Sequence, residues 1–278
     1  MEQEPHVAEY HDSMVALLEW IWGRDYMAPG GEGNVDKMVE GLDLAGRRVL
    51  DIGCGIGGPA FALARKYGAH VTGIDLEPQL IERATHRAAE LGLSRQTDFR
   101  AVSLGPLPFP DGSFDLLFTS GALTQTEDKA GIAAECFRVL KPGGMLTCYD
   151  WLKNDAPISD DMRYFFKMEG LTYNLITLAQ LSDYLEDAGF ADVTMEDASP
   201  WYRRESRREY ERMRGEGRPQ VVELIGEAQA DHMIEDWRSL VVVCEKGELR
   251  QGYTRARKPL TSQARRRGLP STKRGSAQ

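Results

Sequence analysis

The chain has 278 residues, 42% of them hydrophobic and 28% charged, so it can bury a large core, and its formal net charge is −9 at pH 7. No apolar run approaches the roughly 18 residues needed to cross a bilayer, and the acidic N-terminal stretch lacks a charged-then-apolar leader pattern; a cytoplasmic protein with no membrane partner is expected. From Lys246 onward ten Lys or Arg stand against one Glu, which leaves −18 on residues 1–245 and argues against a nucleic-acid partner for so acidic a body. Cys54, Cys136, Cys148 and Cys244 are scattered without metal-ligand spacing, so buried thiols and no metal site are expected.

The first forty-odd residues read as helical. Met14, Leu17, Leu18 and Ile21 share one face, a loop follows at APGGEG, and an amphipathic stretch runs to Leu42. Strands and helices then alternate. Strands are predicted at Val49–Ile52, Val71–Asp75, Asp98–Val102, Phe114–Thr119 and Met145–Asp150, with helical runs around Phe61, Ile81 and Ile132, a pattern that argues a parallel, doubly wound α/β sheet. LKPGG at Leu140–Gly144 reads as a helix stop and tight turn. From Asp160 to about Gln229 the pattern is helix-rich, including the amphipathic segment Ile176–Phe190 with a Gly stop, before a strand at Val193–Met195. The last strand is predicted at Arg250–Lys258, and the residues after Pro259 have little to bury.

The most informative stretch is Val49–Gly58, VLDIGCGIGG. A short apolar strand runs into Asp51 and then Gly53, Gly55 and Gly57, which lack Cβ atoms and let backbone approach a bound nucleoside closely. GxGxG alone is a weak signal and by itself reads first as a structural turn. The next unit strengthens it. The segment His70–Asp75 reads as a second strand ending in an acid about twenty residues beyond the glycines, where a carboxylate can accept two ribose hydroxyls.

Strand, DxGxGxG, helix, strand and acid together resemble the class I S-adenosylmethionine-dependent methyltransferases. The resemblance implies a Rossmann-like, seven-stranded, mostly parallel sheet, with residues 1–45 as a helical lid, 46–258 as the cofactor-binding domain, a helical substrate cap over about 155–240, and a basic tail at 259–278. Leu18–Gly31, Val49–Leu76, Ile176–Phe190 and Gly252–Lys258 look like the phosphoethanolamine N-methyltransferase family, a likeness covering most of residues 10–258. It implies that Met27, Asp51, Gly53, Gly55, Asp75, Leu76, Ser103, Leu104 and Ser120 line the cofactor. Tyr10 falls on the family's catalytic tyrosine, although by itself it reads first as an ordinary amphipathic-helix aromatic.

The departures carry the substrate reading. Where the family has an Asp and a His after the fourth strand, this chain has Gly121 and Gln125; where it has a phosphate-binding Arg and Lys, an ungapped reading finds Leu171 and the apolar run Leu240–Val243. An ammonium acceptor must lose a proton before attack, whereas a thioether sulfur carries none. The losses therefore point to S-methylation of L-methionine, as in the similar bacterial methionine S-methyltransferases that begin a route to dimethylsulfoniopropionate. Asp150 or Glu9 is expected to hold an acceptor ammonium and Arg163 or Arg238 its carboxylate, with Trp22, Trp151, Tyr173 and Trp237 offering aromatic faces. A phosphobase or other small-amine N-methyltransferase is the alternative, and a cofactor-binding protein without catalysis a third reading. Oligomeric state is open.

Overall fold

The computed structural model of the chain describes residues 10–171 and 173–260. Among the described residues seven strands form one sheet: β1 (Arg48–Ile52), β2 (His70–Asp75), β3 (Thr97–Ala101), β4 (Phe114–Ser120), β5 (Leu140–Lys153), β6 (Ala191–Asp197) and β7 (Leu249–Arg257), in the order β3-β2-β1-β4-β5-β7-β6. Strands β1 to β5 pair in parallel, and β7 runs antiparallel to both β5 and β6. The expected doubly wound, mostly parallel sheet is what the chain forms.

Side-chain alternation along the strands sends residues to two buried layers. Val49, Val71, Leu116, Phe118 and Tyr149 pack with helices α2 (Gly31–Met38) and α3 (Gly58–Tyr67), whose Phe61 and Leu63 fill the layer between the small Ala60, Ala62 and Ala64. Leu50, Ile52, Ile74, Leu117 and Leu146 face α5 (Lys129–Val139) and α7 (Leu178–Ala188). Thr177 and Gln180 close a reciprocal capping box that fixes the start of α7, and Gly189, in the left-handed region, ends it. Helix α4 (Pro78–Glu90) completes the β2-to-β3 crossover.

A third cluster lies off the sheet. Helix α1 (Asp12–Trp22) packs through Leu17 and Leu18 against α6 (Asp160–Glu169), α8 (Ser199–Arg214), α9 (Arg218–Ile225) and α10 (Glu227–Glu245). The helix-rich stretch thus divides: α7 and β6 belong to the sheet and its outer layer, while α6 and α8 to α10 build the cap. Strand β5 begins at Leu140 rather than Met145. A register shift against β4 between Phe114 and Leu116 accommodates Pro142 and Gly143, and the Gly143 N–H donates to the Lys258 carbonyl at 2.8 Å, so the segment expected as a free turn is held in the sheet. Tail residues from 261 on lie outside the described residues.

Candidate functional site

At the C-terminal ends of β1, β2 and β4 opens a cleft of about 930 Å³, the place where open α/β sheets bind ligands. Its floor is the turn after β1. Gly53 has φ 72°, and a Cβ there would come within 2.2 Å of the Ala122 Cβ, so no other residue fits. The Gly53 and Cys54 N–H groups both donate to the Ile74 carbonyl, at 2.8 and 3.0 Å, tying the turn to the end of β2. Asp75 completes it: one carboxylate oxygen accepts the Gly55 N–H at 2.9 Å and the other the Glu77 N–H at 3.1 Å. Burial pushes this carboxyl up from its ordinary value, partly offset by those backbone donors.

Asp51 sits beneath the turn, 1% exposed, with its Oδ2 receiving no hydrogen bond from a described donor. Burial, and then the neighbouring charge of Asp75, raise its carboxyl to about 8. Two acids and a glycine cradle suit a nucleoside that carries positive charge, because a cation repays the desolvation of the orphaned carboxylate.

Most predicted cofactor positions converge here. Met27, Gly53, Gly55, Asp75, Leu76, Ser103, Leu104 and Ser120 line the cleft, with Tyr10 and Gln125 at the same opening. The Met27 Sδ lies 3.2 Å from the position a Gly55 Cβ would take. Leu76 and Leu104 are exposed on the rim, Leu104 at 83%. Asn34 on α2 adds a contact that sequence reasoning missed. Its Nδ2 donates to Ser120 Oγ at 3.4 Å and its Oδ1 accepts the Tyr253 hydroxyl at 2.7 Å, joining the N-terminal helices to β4 and β7 across the cleft. The short 3₁₀ turn Leu123–Gln125 is held from below by Lys129 Nζ, which donates to the Leu123 and Thr124 carbonyls, and from the side by Asn174, which donates to the Gln125 carbonyl at 3.0 Å.

The predicted substrate residues do not gather at the cleft. Arg163 pairs with Asp160 and Arg238 with Glu235, each one turn away on its own exposed helix face, so neither arginine is placed to hold an acceptor carboxylate. Asp150 is buried behind the Leu123–Gln125 turn near Lys129, accepting the Trp151 N–H at 2.9 Å, and burial raises it to about 7. Trp22 and Trp237 turn inward, and their indole N–H groups donate to the two carboxylate oxygens of buried Glu209 at 2.8 and 3.1 Å. Tyr173 stacks on Phe166, ring centroids 5.0 Å apart. Trp151 abuts the cleft, its Nε1 3.7 Å from where a Gly121 Cβ would stand. Glu9 lies outside the described residues. The cap also holds Glu169 and Asp236, acids that sequence reasoning passed over. Asp236 shares the Met233, Trp237, Leu240 stripe of α10, and an acid on an apolar stripe was the available signal.

Residues 50–148 match the family of methyltransferase domains. Phosphoethanolamine N-methyltransferase 1 of Arabidopsis thaliana is 30% identical over 251 residues, which are 90% of this chain and 50% of that protein. The chain thus spans about half the length of the curated relatives it matches first. Among solved structures, Haemonchus contortus phosphoethanolamine N-methyltransferase 2, in complex with phosphomonomethylethanolamine and S-adenosylhomocysteine, superposes with a TM-score of 0.84 at 24% identity, covering 92% of this chain and 62% of that one. The [4+2]-cyclase SpnF superposes at 0.70 with 28% identity, covering 90% and 94%, so the shared fold does not by itself name a reaction. The chain carries a class I S-adenosylmethionine-dependent methyltransferase domain and is similar to the phosphoethanolamine N-methyltransferases.

Proposed function

We propose that this protein transfers a methyl group to a small zwitterionic metabolite, and that it S-methylates L-methionine. Asp75 would hold the ribose hydroxyls, the Gly53–Gly55 backbone would pass close to the nucleoside, and Asp51 would stabilise its positive charge. Bound S-adenosylmethionine supplies an electrophilic methyl group on a sulfonium centre.

The observation that carries the acceptor reading is the lining of the cleft around Tyr10, Gly121, Ala122 and Gln125, with Trp151 beside Gly121: no described histidine lines the cleft. A thioether sulfur forms its new carbon–sulfur bond without releasing a proton, so these side chains need only orient it and exclude water. Orientation alone can contribute roughly 7 to 11 kcal/mol of barrier lowering. Aromatic faces such as Trp151 favour a sulfonium product.

N-methylation of phosphoethanolamine is the second reading, favoured by the activity in the relatives' names. Against it, Arg163, Lys167 and Arg238 all sit on exposed positions of the cap helices. The test is a transfer assay with methyl-labelled S-adenosylmethionine, offering L-methionine and phosphoethanolamine in parallel and identifying products by mass. Labelled S-methylmethionine supports the first reading. Labelled phosphobase product replaces it with the second, and turnover of neither leaves the domain without the acceptors argued here.

A further inference from the structure

The cap contains an arrangement that packing does not account for. Glu169 ends α6, and Asp236, in the middle of α10, is fully buried with neither carboxylate oxygen receiving a hydrogen bond from a described donor. The two acids face one another. Tyr173 lies beside Glu169, its ring stacked on Phe166 and within 5.7 Å of Phe165. The other ionisable groups around the pair are His232, one turn before Asp236 on α10, and the neighbouring Glu235. Burial, then the charge of Glu169 and a hydrogen bond to it, push Asp236 upward, which favours the form with one proton between the two carboxyls.

Burying two carboxyl groups against each other is costly, and apolar residues on the same stripe would pack at no such cost. A cation between them reverses the balance, since it gains both charges in a dry site walled by aromatic rings. The cluster also adjoins the chemistry. Tyr10 and Trp151 pack in the same core as Tyr173, Phe165 and Phe166, while Tyr10 lines the cofactor cleft and Trp151 abuts Gly121.

We propose that Glu169, Asp236 and Tyr173 form a subsite that holds the ammonium group of the acceptor. This rests on the reading that the acceptor is a small ammonium-bearing metabolite. The ammonium replaces the shared proton as the bridge between the carboxylates, and that proton leaves to solvent. A phosphate, by contrast, is repelled from this end of the cap.

The test uses the full chain and two isosteric variants, Asp236→Asn and Glu169→Gln. With saturating S-adenosylmethionine, each variant is expected to raise KM for L-methionine by about tenfold or more, the loss of a charge-assisted hydrogen bond, with kcat little changed. Melting temperature should hold or rise, because the repulsion in the free protein is relieved, and affinity for S-adenosylhomocysteine should not move. The desamino analogue of methionine should be a poor substrate of the unaltered protein and gain relative to methionine in the variants.

A separate arm measures binding by calorimetry on protein saturated with S-adenosylhomocysteine, titrated with L-methionine, ethanolamine and choline. Ammonium probes that bind the unaltered protein and are lost by the variants support the subsite even where methionine is not methylated, which would remove only the acceptor reading. Methionine turnover with an unchanged KM in a folded variant overturns the subsite and leaves the acceptor reading standing. Absence of both binding and turnover for every ammonium compound overturns both. Should Asp236→Asn fail to fold, Glu169→Gln, at the end of α6, carries the test.

Discussion

Replacing Asp75 by Ala tests the cofactor site and its scaffold at once. The carboxylate satisfies two backbone N–H groups, those of Gly55 at 2.9 Å and Glu77 at 3.1 Å. A hydrogen bond to a charged group contributes about 1.5–3 kcal/mol, and because water can enter the open cleft and the buried carboxylate itself carries a desolvation cost, the net loss of stability should be about 1–3 kcal/mol. Cofactor affinity should fall further than stability, because two ribose hydroxyls lose an ionised acceptor; about 3 kcal/mol corresponds to roughly a hundredfold in Kd. Urea unfolding gives the first quantity and calorimetric titration with S-adenosylhomocysteine the second. Asp75→Asn, which keeps the shape and one acceptor oxygen, should fall between Ala and the unaltered chain on both scales. A folded Asp75→Ala protein that binds S-adenosylhomocysteine as tightly as the unaltered chain would refute the ribose assignment.

Gly53→Ala should weaken cofactor binding at least tenfold and lower the melting temperature, since left-handed backbone costs a non-glycine residue roughly 1–2 kcal/mol and the new Cβ meets Ala122. Gly41→Ala, with φ 76° and nothing within 4 Å, is the control for backbone strain alone; equal effects on binding at both positions would remove the contact argument. The raised carboxyl of Asp51, about 8, predicts a pH dependence. Its contribution to stability is full at acid pH, below its unfolded value, and is lost as pH rises through about 8, because across that window the folded state keeps a proton the unfolded state has released. A cationic cofactor holds Asp51 ionised, so affinity should climb with pH toward 8 and a proton should be released on binding, measured by calorimetry in two buffers of different ionisation enthalpy. No proton release, or the same release in Asp51→Asn, would sink this assignment. Gln125→His should change thioether turnover little, and a large gain on an amine acceptor would mean that nitrogen, rather than sulfur, is the natural acceptor.

The cofactor side was legible because its information is local. A turn that needs positive φ and close approach can be served only by glycine, and Asp75 follows at the spacing a strand–helix–strand unit imposes. The substrate side was not, because it depends on which face of a helix a side chain takes. Arg163 and Arg238 carried the right charge, yet Asp160 and Glu235, three residues earlier, already marked them as solvated helix pairs. Asp150 ends up behind the Leu123–Gln125 turn because Lys129, on a different element, draws the backbone of that turn over it. Glu169 and Asp236 meet only when α6 packs on α10, a juxtaposition across nearly seventy positions that no short motif encodes. The start of β5 was missed for the opposite reason: Pro142 and Gly143 are strong turn residues, overruled by pairing with β4 and by the carbonyl of Lys258.

Strand β7 lies between β5 and β6, although it follows both in the chain. During synthesis, until residues 249–257 emerge, β5 lacks the antiparallel neighbour it has in the finished sheet and β6 lacks its one described partner strand. The cap helices α8 to α10 are made within that interval, before the strand that seats them is available. Such a chain is exposed to edge-to-edge association until β7 has been made. Completion of the sheet therefore requires β7 to insert between two strands made before it, and that insertion joins the outer strand β6 to the rest of the sheet.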